Sequence, residues 1–295
     1  DVCSSDLYNM KKLLFTFLLI TAVFSAQNRF IYDYKFVTDS TNKADVKSEL
    51  MYLDISEKGS KFYSREVYVS DSIMTAAFEK QIKATGSMNV DMKAMSMRKG
   101  SVRYKIHKNY PSFETYSLTR SGMDAYKVWD KRKIQWKILP EKQKIGEFEA
   151  QKAVTEFAGR KWTAWFTEEL PFQDGPYKFR GLPGLIVKLE DATQSHVFEL
   201  KAVGKYKEEI QKVSEFVGNE KYIEVNQEQY KKIFLEDRND PAKSMRMAMA
   251  NGAVLQFRDQ SGNEISASEM IKRREQQVKE NNKRDHNTDD FARHA

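Results

Sequence analysis

Three carboxylates, Glu168, Glu169 and Asp174, follow Trp162 and Trp165 closely in the chain. Acids beside indoles are the material of a glycosidase, which sets a proton donor and a base or nucleophile across a sugar ring. Neighbours on a strand point to opposite faces, so Glu168 and Glu169 converge only where the chain turns; the competing reading is a solvated loop, and it is the stronger one. No Gly-x-Ser-x-Gly elbow, His-Glu-x-x-His pair or phosphate-cradling glycine loop occurs, so no catalytic residue is assigned. The four histidines, His107, His196, His286 and His294, are scattered, which gives a zinc site no support.

Methionine offers a second chemistry, because thioethers are soft ligands for Cu(I). Seven of the twelve methionines are Met88, Met92, Met95, Met97, Met245, Met247 and Met249. Their spacing also makes helical stripes of flexible core filler, and that reading is preferred, so no metal or other cofactor is expected. Charge offers a third. The formal net charge is +7, yet Arg98 to Lys144 alone holds thirteen Lys or Arg against four Asp or Glu. Such a segment, interleaved with aromatics, neutralises phosphates in nucleic-acid binders. The leader-like segment at 10–26 argues against that partner and favours a solvated face, or one that meets anionic lipid headgroups or glycans.

Strands must position these groups. Phe30, Tyr32, Tyr34 and Phe36 alternate with polar residues, as in a half-buried strand. The same period recurs at 50–55, 61–69, 101–107, 113–120, 123–129, 133–139, 161–167, 185–190 and 197–203. In the basic segment Ser101, Arg103, Lys105 and His107 alternate with Val102, Tyr104 and Ile106, so its charges leave one face of a sheet. Helices are expected at 72–84 and 227–238, from Asp240-Pro241 to Asn251-Gly252, and from the capping box at Ser266. The fold class is α+β and β-dominated: a curved antiparallel sheet, an open half-barrel or sandwich-like, with a few helices. Tyr32, Tyr34, Phe36, Tyr104, Trp136, Trp162 and Trp165 fill its inner face or line an apolar cup there.

Residues 10–26 have the layout of a secretory signal peptide: Lys11 and Lys12, the apolar run Leu13 to Phe24, then Ser25 and Ala26. The run is shorter than the ~18 to 20 residues of a membrane anchor, so no transmembrane span is expected in the mature chain. Residues 1–9 make no sense before a leader and read as an assembly artefact; they hold the one cysteine, Cys3. Residues 27–265 read as a single β-rich domain, and 266–295 as a charged helix with a disordered tail. The expected location is the periplasm, the cell surface or the medium, with neither disulfides nor thiol chemistry.

Residues 150–191 read AQKAVTEFAGRKWTAWFTEELPFQDGPYKFRGLPGLIVKLED. Gly175-Pro176 and Pro183-Gly184 are turn signals, the second of type II with positive φ at Gly184, so that Gly184→Ala costs ~1 kcal/mol or more. The stretch resembles the GLPGLI family, whose name is the string from Gly181 to Ile186. The likeness extends to Lys152-Ala153, Gly159-Arg160, Trp162, Trp165-Phe166-Thr167, Pro171, Gly175-Pro176 and Phe179. Ala150 stands where many members have a cysteine, and the chain closes on Asp-Asp-Phe-Ala-Arg-His-Ala instead of an Asn-Pro-Ile-Glu-Leu type ending. The resemblance implies an exported bacterial envelope protein of unassigned biochemistry and supplies no catalytic residue.

The expected function is a non-catalytic binding or carrier module for an apolar or anionic envelope ligand: a lipid, a glycan or a membrane surface. An accessory protein binding an envelope protein through the GLPGLI loop, and an enzyme of unrecognised class, are the alternatives. The binding residues expected are Trp162, Trp165, Pro171, Gly175, Pro176, Gly181, Leu182, Pro183, Gly184 and Leu185.

Overall fold

The computed structural model describes residues 27–85, 99–122, 124–206, 221–252, 257–258 and 264–284. The leader, residues 1–9, the methionines from Met88 to Met97 and the tail from 285 lie outside the described residues.

The strands follow the period-two segments: β1 (Asn28–Val37), β2 (Val46–Ser56), β3 (Gly59–Ser64), β4 (Lys105–Asn109), β5 (Glu114–Ser121) and β6 (Asp124–Asp130). After them come β7 (Lys137–Ile145), β8 (Phe148–Phe157), β9 (Arg160–Thr167), β10 (Leu185–Asp191), β11 (His196–Lys205) and β12 (Tyr222–Asn226). All twelve join one open sheet, in the order β12, β6, β5, β4, β3, β2, β1, β11, β10, β9, β8, β7. Every pairing is antiparallel except β12 with β6, which is parallel. The helices are α1 (Arg65–Thr85), α2 (Gln227–Asn239), α3 (Lys243–Ala250) and α4 (Ala267–Arg284); β13 (Phe257–Arg258) and β14 (Glu264–Ile265) form a separate short ribbon.

The alternation sets two faces. Phe30, Tyr32, Tyr34, Met51, Leu53, Phe62, Ile106, Phe198, Leu189, Ala164 and Trp162 share the inner one and are buried. The sheet curves strongly around them. Nine strand intervals separate β6 from β8 in the order, a distance of roughly 40 Å in a flat sheet. Yet the adjacent residues Lys178 and Phe179 touch both: Lys178 Nζ donates to Asp130 Oδ2 of β6 at 3.0 Å, and the Phe179 ring lies 5.3 Å from Phe157 of β8. At the outer edge, β7 has mostly exposed, lysine-rich residues, Pro140 and a register break between Ile138 and Lys142, devices that discourage further pairing.

Several boundaries differ from the sequence pattern for local reasons. The alternation at 61–69 stops as a strand at Ser64, whose Oγ accepts the Val67 N–H at 3.1 Å and opens α1 there instead of at Ser72. Ser64 in turn donates to the buried Glu49 carboxylate, which also accepts the Ser101 N–H and hydroxyl at 2.8 Å. Asp240 does not open a helix. Its N–H bonds Glu236 O at 2.9 Å, closing α2, and α3 begins at Lys243. α2 is opened by Asn226 and Gln229 in a reciprocal capping box, and its Tyr230 packs on Tyr126 and Val128 across the inner face of β6. Met247 and Met249 on α3 are exposed, so they are not core filler. No group of His, Cys, Asp and Glu among the described residues is spaced to hold a metal.

Candidate functional site

Loop 168–184, between β9 and β10, folds back into the hollow of the sheet. It is ordered first by itself: Gly181 N–H bonds Gln173 O and Ile186 N–H bonds Asp174 O, both at 3.0 Å, with a small bridge between Asp174 and Arg180. Aromatic side chains then fill the space. Phe172 meets Phe30 at 5.3 Å, Tyr177 meets Tyr104 at 5.5 Å, and Phe179 meets Trp162 at 4.8 Å. Trp136 Nε1 donates to Arg180 O at 2.9 Å and Tyr32 OH to Ile186 O at 2.7 Å.

Two reciprocal ion pairs lock this loop to the sheet. Lys108, on β4, gives its ammonium to Asp174 and to Gly175 O at 2.8 Å, and Tyr110 OH donates to the same carboxylate. In the other direction, loop residue Lys178 reaches Asp130 on β6, which Arg132 also grips through Nε at 2.9 Å. Burial raises the Asp130 carboxyl, but the bonds from Arg132 and the charge of Lys178 outweigh it and hold it at about 2. Burial lowers Lys178 to about 8, so the pair is ionised at neutral pH. Burial likewise pulls Lys108 below the usual lysine range, with Asp174 opposing it.

The residues singled out in the sequence divide accordingly. Trp162 is 1% exposed, and Gly175, Pro176, Leu182, Gly184 and Leu185 are also buried. Trp165, on the opposite parity, is buried too, with Lys152 Nζ 5.9 Å from its ring centre. Only Pro171, Gly181 and Pro183 reach solvent. Gly184 does not hold a positive φ, as the type II turn required; Gly181 does, at +91°. Glycine is needed at 184 for room, since a Cβ there would lie 2.1 Å from Thr167 O. The three carboxylates do not converge: Glu168 and Glu169 are exposed while Asp174 is fully buried.

The outer face of β3–β6 is built differently. Lys61, His107, Tyr116 and Trp129 are direct cross-strand neighbours on four successive strands. His107 and Tyr116 stack at 4.9 Å and 6°, and Trp129 follows at 5.1 Å. Lys127 lies over Tyr116 and Trp129 at 4.8 and 4.3 Å from their centres and pairs with Glu224 of β12 at 3.2 Å. Lys61 and Lys105 are exposed; His107, Tyr116 and Trp129 are half-buried. Burial, with the charges of Lys61, Lys105 and Lys127, lowers His107 to about 4, so the imidazole is neutral within a positive field. Counting charge over 98–144 misses Lys61, although its parity opposite Phe62 already directs it outward. The same parity rule places Lys108 with Ile106 on the inner face, where a lysine demands a buried partner.

Residues 156–188, which contain β9 and the loop, match the family described as "Protein of unknown function (Porph_ging)". No curated protein matches the chain in sequence. In fold it is similar to solved structures of PNGF-II in space groups P21 and C2, with TM-scores of 0.48 and 0.49 and identities of 15% and 16%. Each match covers 72% of this chain and 34% or 33% of the other, so the chain spans about a third of the length of those structures.

Proposed function

We propose that the chain is an exported envelope protein of the GLPGLI type that acts as a non-catalytic binding module for an anionic ligand, held on the outer face of β3–β6. The observation carrying this reading is the gathering of Lys61, Lys105 and Lys127 around the half-buried His107, with Glu224 the acid paired to Lys127. Like charges brought together on one sheet face repel, and an anion placed there relieves them. The leader-like segment 10–26 supports export. The inner face supports the choice of side, because loop 168–184 occupies the space an apolar cargo would take. The exposed residues of the same loop are Glu168, Glu169, Pro171, Gln173, Gly181 and Pro183, which offer little apolar area for a protein partner.

The test is charge reversal at two exposed positions, which leaves the core untouched. The native chain is expected to bind labelled dextran sulfate at low ionic strength and to ignore neutral dextran. The Lys61→Glu, Lys105→Glu double variant should bind it about tenfold more weakly or worse. Equal binding by the two proteins would overturn the reading.

A further inference from the structure

We infer that the anionic partner is an acidic glycan chain lying across the strands from Lys61 towards Trp129, an inference that rests on the binding reading above. Lys61, His107, Tyr116 and Trp129 form a line perpendicular to the strands. At ~4.8 Å per strand, three intervals make it roughly 14 Å long. Lys105 and Lys127 border the line on one side, each two residues before a member of it. A lone phosphate reaches one end of such a line; a chain with carboxylates or sulfates along it reaches every cation.

The rest of the surface discriminates among polyanions. Nucleic-acid binders of this kind need open aromatic faces on which bases stack. Here His107 and Tyr116 stack on each other and Lys127 covers Tyr116 and Trp129, so the rings offer edges, the Tyr116 hydroxyl and lysine point charges. Those suit carboxylates and sugar hydroxyls. A lipid surface calls for apolar side chains that insert beside the cations. The prominent exposed apolar residues, such as Ile73 on α1, Ile138 on β7 and Met247 on α3, lie on other elements; beside the cations stand the half-buried Leu118, between Lys105 and Lys127, and Tyr222 at the β12 margin. The line itself has none.

The experiment is calorimetric titration of the full chain with oligogalacturonates of one to six units. Affinity is expected to rise by about tenfold or more from monomer to tetramer, as successive carboxylates find lysines, and then to level off once the line is filled. Lys61→Gln and Lys105→Gln should each weaken the hexamer severalfold, whereas Lys142→Gln, which removes the same charge from β7, should not. A hexamer that binds no tighter than the monomer overturns the inference. Tighter binding of an oligonucleotide of equal charge, or of vesicles rich in anionic lipid, also overturns it. Dextran sulfate separates the two levels: if it binds while chain length has no effect, the glycan inference alone fails. If it does not bind either, the binding reading fails with it.

Discussion

Gly184→Ala is expected to lower the unfolding free energy by about 3 kcal/mol, measured by urea denaturation. The new Cβ would sit 2.1 Å from Thr167 O and 2.6 Å from its carbonyl carbon. Both are backbone atoms of β9, and β9 is tied to Leu185 and Ile186 of β10 in the ladder, so neither can swing aside as a flexible side chain does. Relief requires separating β9 from β10 where loop 168–184 enters the core. The backbone angle at Gly184 is one that alanine tolerates, so the loss is purely one of space. A change below about 0.5 kcal/mol would mean that the strands part easily and that the loop is not locked in the hollow.

Asp174→Asn should be comparably damaging and should leave a distinct signature. Both Asp174 and Lys108 are 0% exposed, and removing one charge strands the other, at a cost of about 3–5 kcal/mol. Lys108 can limit that cost by losing its proton. Its folded-state pKa, already lowered by burial, would then fall further below the value in the unfolded chain. The unfolded chain would bind the extra proton between those two values, so the stability of Asp174→Asn should increase as the pH is raised from 7 to 9. Removing both charges, as in Lys108→Met with Asp174→Leu, should recover part of the loss, because an apolar pair of similar volume has no stranded ion. Flat stability of the single variant over that pH range, or a double variant worse than both singles, would show that the ion pair is not the lock described.

Much of the architecture is legible in the sequence because strand period and burial follow the same rule. Phe30, Tyr32, Tyr34 and Phe36 announce an inner face, and they lie on it. The curved, open, β-dominated sheet follows from many such segments separated by turns. Boundaries fail where a side chain serves a neighbour that the pattern does not reveal. Ser64 looks like one more inward position of a strand until its hydroxyl is seen capping α1, and Asp240-Pro241 looks like a helix start until the Asp240 N–H is used to close α2.

The loop is the harder case. Its glycines and prolines advertise a constrained turn, and such turns are ordinarily placed at the surface. Nothing local tells that Phe172, Tyr177, Phe179 and Leu182 turn inward, because the space they fill is created by strands more than a hundred residues apart in the chain, β1 and β9 among them. Lysines mislead in the same way. Lys108 inflates the charge count of the basic segment and, like Lys178, belongs to the core, while Lys61, outside that segment, completes the outer line.

The most direct test of that outer face is the titration of His107 itself, followed through its ring resonances by NMR with and without saturating dextran sulfate. In the free chain the imidazole should titrate at about 4, held down first by burial and then by Lys61, Lys105 and Lys127. An anion bound among those lysines offsets their field and favours the imidazolium, so a clear upward shift is expected on binding. An unshifted His107 in a chain that has demonstrably bound the polymer would place the ligand elsewhere and contradict the account.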